Sequence, residues 1–141
     1  MLVEVPFDAT EEYTISHIQA LIGMGYRVIL AHPERYDFIQ EDPSIAWKFV
    51  AKGCWIQVNY GSLIGSLGPQ IQEAAEQLAD MGLVHIVATD AHDEKIRSHN
   101  LSNLFPYIDK NYSREEIHLW MSENPSRVIK GMELLSVKDI R

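Results

Sequence analysis

The sequence predicts an α/β fold, about four parallel strands alternating with helices, and three features carry that expectation. Short apolar runs and stretches of helical periodicity take turns along the chain. Glycines close the helical stretches, at Gly23, Gly53, Gly82 and Gly131. Each apolar run finishes in a polar or ionisable residue, as strands do where sites form at the carboxyl ends of a parallel sheet.

The elements follow in order. "LVEV" (2–5) reads as a first strand. Thr10 is placed to cap a helix whose first turn holds Glu11 and Glu12, where carboxylates complement the helix dipole, and Ile15, Ile18 and Ile22 form its inward face. "RVILA" (27–31) is the second strand, and Asp42-Pro43 starts a helix that carries Ile45 and Phe49 on one face. "CWIQV" (54–58) is the third strand, and Pro69 opens a helix with Ile71, Ala74, Ala75 and Leu78 inward. "VHIVA" (84–88) is the fourth strand. Beyond it, Ser113 and Glu116 have capping-box spacing and Asn124-Pro125 begins a last helical turn. No linker, repeat or low-complexity tract interrupts the 141 residues, so residues 1–141 are expected to form a single domain.

Composition narrows the function. A formal net charge of -8 argues against nucleic acid or an anionic membrane as the partner, because either needs a basic face. No apolar run approaches the roughly 20 residues that cross a bilayer, and the amino terminus lacks the pattern of a secretory signal, so a cytoplasmic location is expected. Cys54 is the single cysteine and reads as a small buried apolar residue. A cysteine-dependent phosphatase needs arginine six residues after its nucleophile, and that position is Tyr60. "GSLIGSLG" (61–68) lacks the GK[ST] ending of a phosphate-binding loop and reads as a flexible connection in which Ser62 and Ser66 support local turns.

The ionisable residues at strand ends are the informative ones. Glu4 lies in the first strand, His32 follows the second, Asn59 the third, and Asp90 and His92 the fourth. Adjacent parallel strands lie about 4.8 Å apart, so groups at their ends are expected to converge on one small metal site. Taken singly, such a residue is more often a loop hydrogen-bonder or helix cap than a ligand. His85, inside a strand with no partner at its spacing, reads as a packed or edge histidine, and His17, His99 and His118 take no role.

The motifs "ILAHPERY", "VNYGSLIGSLG" and "ATDAH" followed by Arg97, flanked by "LVEVP" and "ENPSRVIKG", resemble the capsular-polysaccharide type of bacterial manganese-dependent protein-tyrosine phosphatase, a branch of the polymerase-and-histidinol-phosphatase (PHP) superfamily. The resemblance implies part of a distorted PHP-type β/α barrel, its carboxyl-terminal portion. The family's amino-terminal H-x-H pair has no counterpart here, and four strands leave an edge open to a second copy of the chain. By matching motif, Glu4, His32, Asp90 and His92 resemble metal ligands, and Arg35 and Arg97 resemble the arginines that hold the substrate phosphate. A mixed imidazole and carboxylate set suits Mn²⁺, with Fe²⁺ or Zn²⁺ as alternatives. The implied reaction is hydrolysis of phosphotyrosine by metal-activated water, on a tyrosine-phosphorylated bacterial kinase, in the regulation of capsule or exopolysaccharide synthesis. Two other readings stay open: a phosphatase of small phosphomonoesters such as histidinol phosphate, and a catalytically inactive fragment that binds a phosphoprotein. Ion pairing of Arg35 with Glu34, and of Arg97 with Asp93 or Glu94, competes with the phosphate-binding role.

Overall fold

The computed structural model describes residues 1–91 and 104–140. Strands β1 (Leu2–Val3), β2 (Ile29–Ala31), β3 (Trp55–Asn59) and β4 (Ile86–Ala88) form one sheet in the order β1-β2-β3-β4, and every neighbouring pair is parallel. The fold class expected from the alternation is therefore the observed one. The strands are shorter than the apolar runs because the ladder gives way to other partners at its ends. Val5, for example, donates its N–H to the Tyr36 hydroxyl at 3.2 Å rather than to a neighbouring strand.

Helices occupy the connections. α1 (Glu11–Gly23) starts at Thr10, whose side chain accepts from the Tyr13 N–H, and buries Ile18. After β2 come α2 (Asp37–Glu41) and α3 (Ala46–Val50), and the Asp42 side chain caps a short 3₁₀ turn, Pro43–Ile45, that leads into α3. The single helix expected from Asp42-Pro43 is thus split into a 3₁₀ turn and an α-helix. After β3 come α4 (Tyr60–Leu63) and α5 (Pro69–Asp80), the latter burying Ala74, Ala75, Leu78 and Ala79. α6 (Leu104–Asn111) and α7 (Arg114–His118) follow β4. The expected Ser113–Glu116 capping box is present, and α7 passes through a π-helical turn, Leu119–Glu123, into α8 (Asn124–Ile129).

The core lies on one face of the sheet. Register pairs Leu30 with Ile56 and Val58 with Val87, and these side chains pack with Ile18, Phe49, Leu78 and Trp120. On the alternate positions β3 carries Gln57 and Asn59, both buried and both polar. Cys54 is buried as expected, and burial pushes its thiol up to about 12, so it is an inert packing residue.

One expectation fails. Residues 61–68 are not a loose connection: Tyr60–Leu63 is helical, and Ser62 and Leu63 are buried. Gln72 of α5 donates to the Leu63 carbonyl at 3.1 Å. Gly65, at φ 77°, gives the turn its left-handed step, and a Cβ there would lie 2.5 Å from the Gln72 side-chain oxygen. Local turn chemistry suggested flexibility, but the α4 turn and the Gln72 hydrogen bond tie the segment to α5.

Two buried polar residues lock the carboxyl-terminal helices to the sheet. Asn124 is fully buried, donates to the carbonyls of His85 and Leu135 at 2.8 Å each, and accepts from the Leu135 N–H at 2.9 Å. His85, just before β4, accepts the Ile56 N–H on Nδ1 at 3.2 Å while its own N–H reaches the Ile56 carbonyl at 2.9 Å, so the packed reading of this histidine holds. Asn124→Ala strands one buried and two part-buried backbone groups and should lower the unfolding free energy by about 2 to 4 kcal/mol in urea titration. A loss below about 1 kcal/mol would show that other partners take over.

Burial lowers the pKa of His85 to about 4 from an ordinary 6.5. The unfolded chain therefore binds the proton more readily between those values, and stability falls as pH drops from 6.5 towards 4. Glu34 acts in the opposite sense, because burial raises it to about 7 and the folded state gains its proton first. Comparing the parent with His85→Gln cancels the Glu34 contribution. The advantage of the parent over the variant should shrink by about 3 kcal/mol between pH 7 and pH 4, and a constant difference across that range would disprove the linkage.

Candidate functional site

Glu4, His32, Asn59 and Asp90 all lie at the carboxyl ends of their strands, as the alternation predicted. Parallel pairing makes this unavoidable, since every strand runs the same way and every loop that follows one opens on the same side. Two of these residues hold an unusual backbone. His32 has φ 34° and Asp90 has φ 49°, the only non-glycine residues with positive φ among the described residues. Such a conformation costs roughly 1 to 2 kcal/mol per residue, and it turns each side chain back over the end of the sheet.

His32 is buried and faces Glu4, with 3.6 Å between Nε2 and Oε1. That separation is too long for a good hydrogen bond, and Nδ1 is buried with no hydrogen-bond partner among the described residues. Burial, and to a smaller degree the Arg35 charge, holds the imidazole pKa below its ordinary value against the opposing pull of Glu4. The ring is therefore neutral at pH 7, with a lone pair to offer. Two ligands of one transition metal, each roughly 2.0 to 2.2 Å from it, lie roughly 3 to 3.6 Å apart, so Glu4 and His32 fit a shared divalent cation.

Asp90 faces a different neighbour. Its carboxylate lies 3.7 Å from the Arg35 guanidinium and accepts from the Asn59 side-chain amide at 3.1 Å, and Asn59 in turn accepts from Gln57 at 2.8 Å. Asp90 still acts electrostatically on His32. Among the described residues, no three His, Cys, Asp or Glu side chains are grouped so as to hold one metal ion. His92 and Arg97 lie outside the described residues. The structure thus joins Glu4 to His32, and Asp90 to Arg35.

Arg35 corrects one expectation. The competing ion pair foreseen with Glu34 is not the one formed, because Glu34 points inward while the guanidinium turns out to Asp90 and lies over the Phe7 ring, 4.2 Å from its centroid. The side chain is about one-fifth exposed.

Sequence reasoning missed Glu34, Ser62 and Phe7. Glu34 is fully buried, and Oε1 accepts from the Asn59 N–H at 2.9 Å and the Ser62 hydroxyl at 2.6 Å. Burial pushes its carboxyl up to about 7. Its partners lie 25 and 28 residues away, so no local spacing could reveal them. The one signal was its place in the dense His32–Tyr36 cluster. Phe7 carried no signal beyond being aromatic.

A cavity of about 560 Å³ opens elsewhere, between α2 and α5. Asp37, Glu41, Asp42 and Glu73 line it, and four carboxylates repel a phosphate dianion. The strand ends, with Arg35, remain the place where an anion and a cation can meet.

Comparison with known proteins bears on this arrangement. Over 134 residues the chain is 31% identical to the tyrosine-protein phosphatase YwqE of Bacillus subtilis, covering 95% of this chain and 52% of the relative. It is 22% identical to the tyrosine-protein phosphatase CpsB of Streptococcus pneumoniae over 133 residues, covering 91% and 55%. A crystallographic study of YwqE and CpsB, described there as metal-dependent tyrosine phosphatases, supplies a structure that superposes with a TM-score of 0.84 at 31% identity, covering 96% of this chain and 55% of that one. The chain spans about half the length of the curated relatives it matches. Residues 1–130 match the family described as capsular polysaccharide synthesis, CpsB/CapC, and with that match and a relative 31% identical over 95% of this chain, the chain belongs to the CpsB/CapC family.

Proposed function

We propose that this chain carries the phosphate-binding and part of the metal-binding half of a metal-dependent protein-tyrosine phosphatase of capsule or exopolysaccharide synthesis, acting on a tyrosine-phosphorylated bacterial kinase in the cytoplasm. One observation carries the reading: a neutral buried imidazole beside a carboxylate, and a guanidinium beside a second carboxylate, stand at the same end of one parallel sheet. Glu4 and His32 would hold a divalent cation, Mn²⁺ in the first place, with Asp90 and His92 as further ligands and a PHP-type barrel as the frame. When bound, such a metal supplies an activated water and neutralises phosphoryl charge.

The chain's own residues do the rest. Arg35 offers paired N–H donors to the non-bridging phosphate oxygens, and Asp90 and the Phe7 ring hold the fork in orientation. Asn59 fixes Asp90 through its amide, and Gln57 fixes Asn59. Burial keeps His32 unprotonated, so the imidazole does not repel a cation at neutral pH. Arg97 is proposed as the second phosphate-holding arginine. The leaving phenolate, with a parent pKa near 10, needs less acid assistance than an alkoxide.

The reading is tested with this chain and Mn²⁺ on a phosphotyrosine peptide, before and after chelation. His32→Ala should weaken Mn²⁺ binding in equilibrium dialysis by tenfold or more, while Cys54→Ser leaves it within about twofold; the reverse pattern would reject the site. Arg35→Lys should lower kcat/KM by roughly tenfold with metal content unchanged, equivalent to about 1.4 kcal/mol of lost transition-state stabilisation. Kinetics equal to the parent's would remove Arg35 from the phosphate site.

A further inference from the structure

Phe7 lies on the loop between β1 and α1, and its position is held from the backbone. Its carbonyl accepts the Asp37 N–H at 3.0 Å, which ties this loop to the start of α2. A turn closed by the Ala9 N–H on the Pro6 carbonyl, at 3.0 Å, fixes the other side. Phe7 is nevertheless 38% exposed as a residue. An exposed phenylalanine alone is ordinary, but this one borders both halves of the site. Its centroid is 5.8 Å from the His32 ring and 4.2 Å from the Arg35 guanidinium carbon.

Geometry limits what that ring can do. A phosphate monoester gripped by Arg35 carries its organic group two bonds from phosphorus, so the group starts within a few ångströms of the guanidinium and of the ring stacked on it. The guanidinium occupies one face of Phe7, and the exposed remainder of the ring is what the organic group can meet. An aryl group can approach it edge to face, with centroids roughly 4.5 to 7 Å apart, whereas an alkyl chain gains only general apolar contact.

We propose that Phe7 is the residue that selects aryl over alkyl phosphates, forming the aromatic wall against which the ring of a phosphotyrosine side chain rests. This deepens the phosphatase reading and rests on it. Phe7 touches the organic group and Arg35 touches the phosphate, so the two contributions separate.

The experiment uses three hydrolysis-resistant probes, benzylphosphonate, n-butylphosphonate and methylphosphonate, titrated calorimetrically into the whole chain with Mn²⁺. The parent should bind benzylphosphonate about three- to tenfold more tightly than n-butylphosphonate, the range expected for one aromatic pair. Phe7→Leu keeps an apolar cover on Arg35, and it should erase that preference, bringing the benzyl and n-butyl affinities to within about twofold of each other whatever loss the alkyl probes share. If the variant weakens all three probes equally, the ring only steadies Arg35 and the selectivity role is overturned. If the parent shows no preference for the benzyl probe, or the variant keeps it, Phe7 is overturned while the phosphate site stands. Failure of the parent to bind any of the probes overturns both the site and the role given to Phe7.

Discussion

The carboxyl of Glu34 holds the working end of this fold together. It sits in the interior immediately before Arg35, and its one oxygen accepts the Asn59 N–H and the Ser62 hydroxyl. A single buried group therefore joins the loop after β2 to the end of β3 and the start of α4. The loop after β2 carries His32 and Arg35; the end of β3 carries the amide that steadies Asp90. Remove that tie and the Glu4–His32 pair and the Asp90–Arg35 pair lose their common reference. An unpaired buried carboxylate would be costly, and burial answers by raising its pKa to about 7, so the group is partly protonated near neutral pH.

Strain at His32 and Asp90 belongs to the same design. Both residues sit in the left-handed region that asparagine, aspartate and glycine tolerate best, and for histidine the conformation is uncommon. A strand that continued in extended conformation would aim its next side chain to one face of the sheet. The left-handed step folds it back over the strand ends, where His32 faces Glu4 and Asp90 faces Arg35. The roughly 1 to 2 kcal/mol per residue is offset by the apolar face of the sheet, where Leu30, Ile56 and Val58 are buried to completion against helices.

The legibility of the fold follows from what is local. Helix starts depend on side chains three residues away, so Thr10 and Ser113 announced their helices correctly. Parallel strands read as apolar runs, and the polarity of their ends pointed to the right edge of the sheet. What stayed hidden depends on contacts between distant segments. Ser62 looked like a turn residue because serine favours turns, but its hydroxyl serves a carboxylate 28 residues earlier. Arg35 stands next to Glu34 in sequence, which suggested a pair. Burial of Glu34 and the aromatic face of Phe7 send the two charges in opposite directions.

Burial acts on the two ends of the sheet for different purposes. Before β4, at the opening of the strand, it lowers the pKa of His85 to about 4, and the ring nitrogen takes the place of a strand carbonyl for the Ile56 N–H. That histidine is spent on structure. At the carboxyl ends burial also lowers the pKa of His32, but there, among the described residues, Nδ1 meets no hydrogen-bond partner and Nε2 faces Glu4 at 3.6 Å. Two neutral imidazoles in one small protein therefore separate by a single criterion, whether the backbone claims the lone pair. His85 gives its lone pair to β3, and His32 keeps one in reserve beside a carboxylate, which is the condition a metal ligand requires.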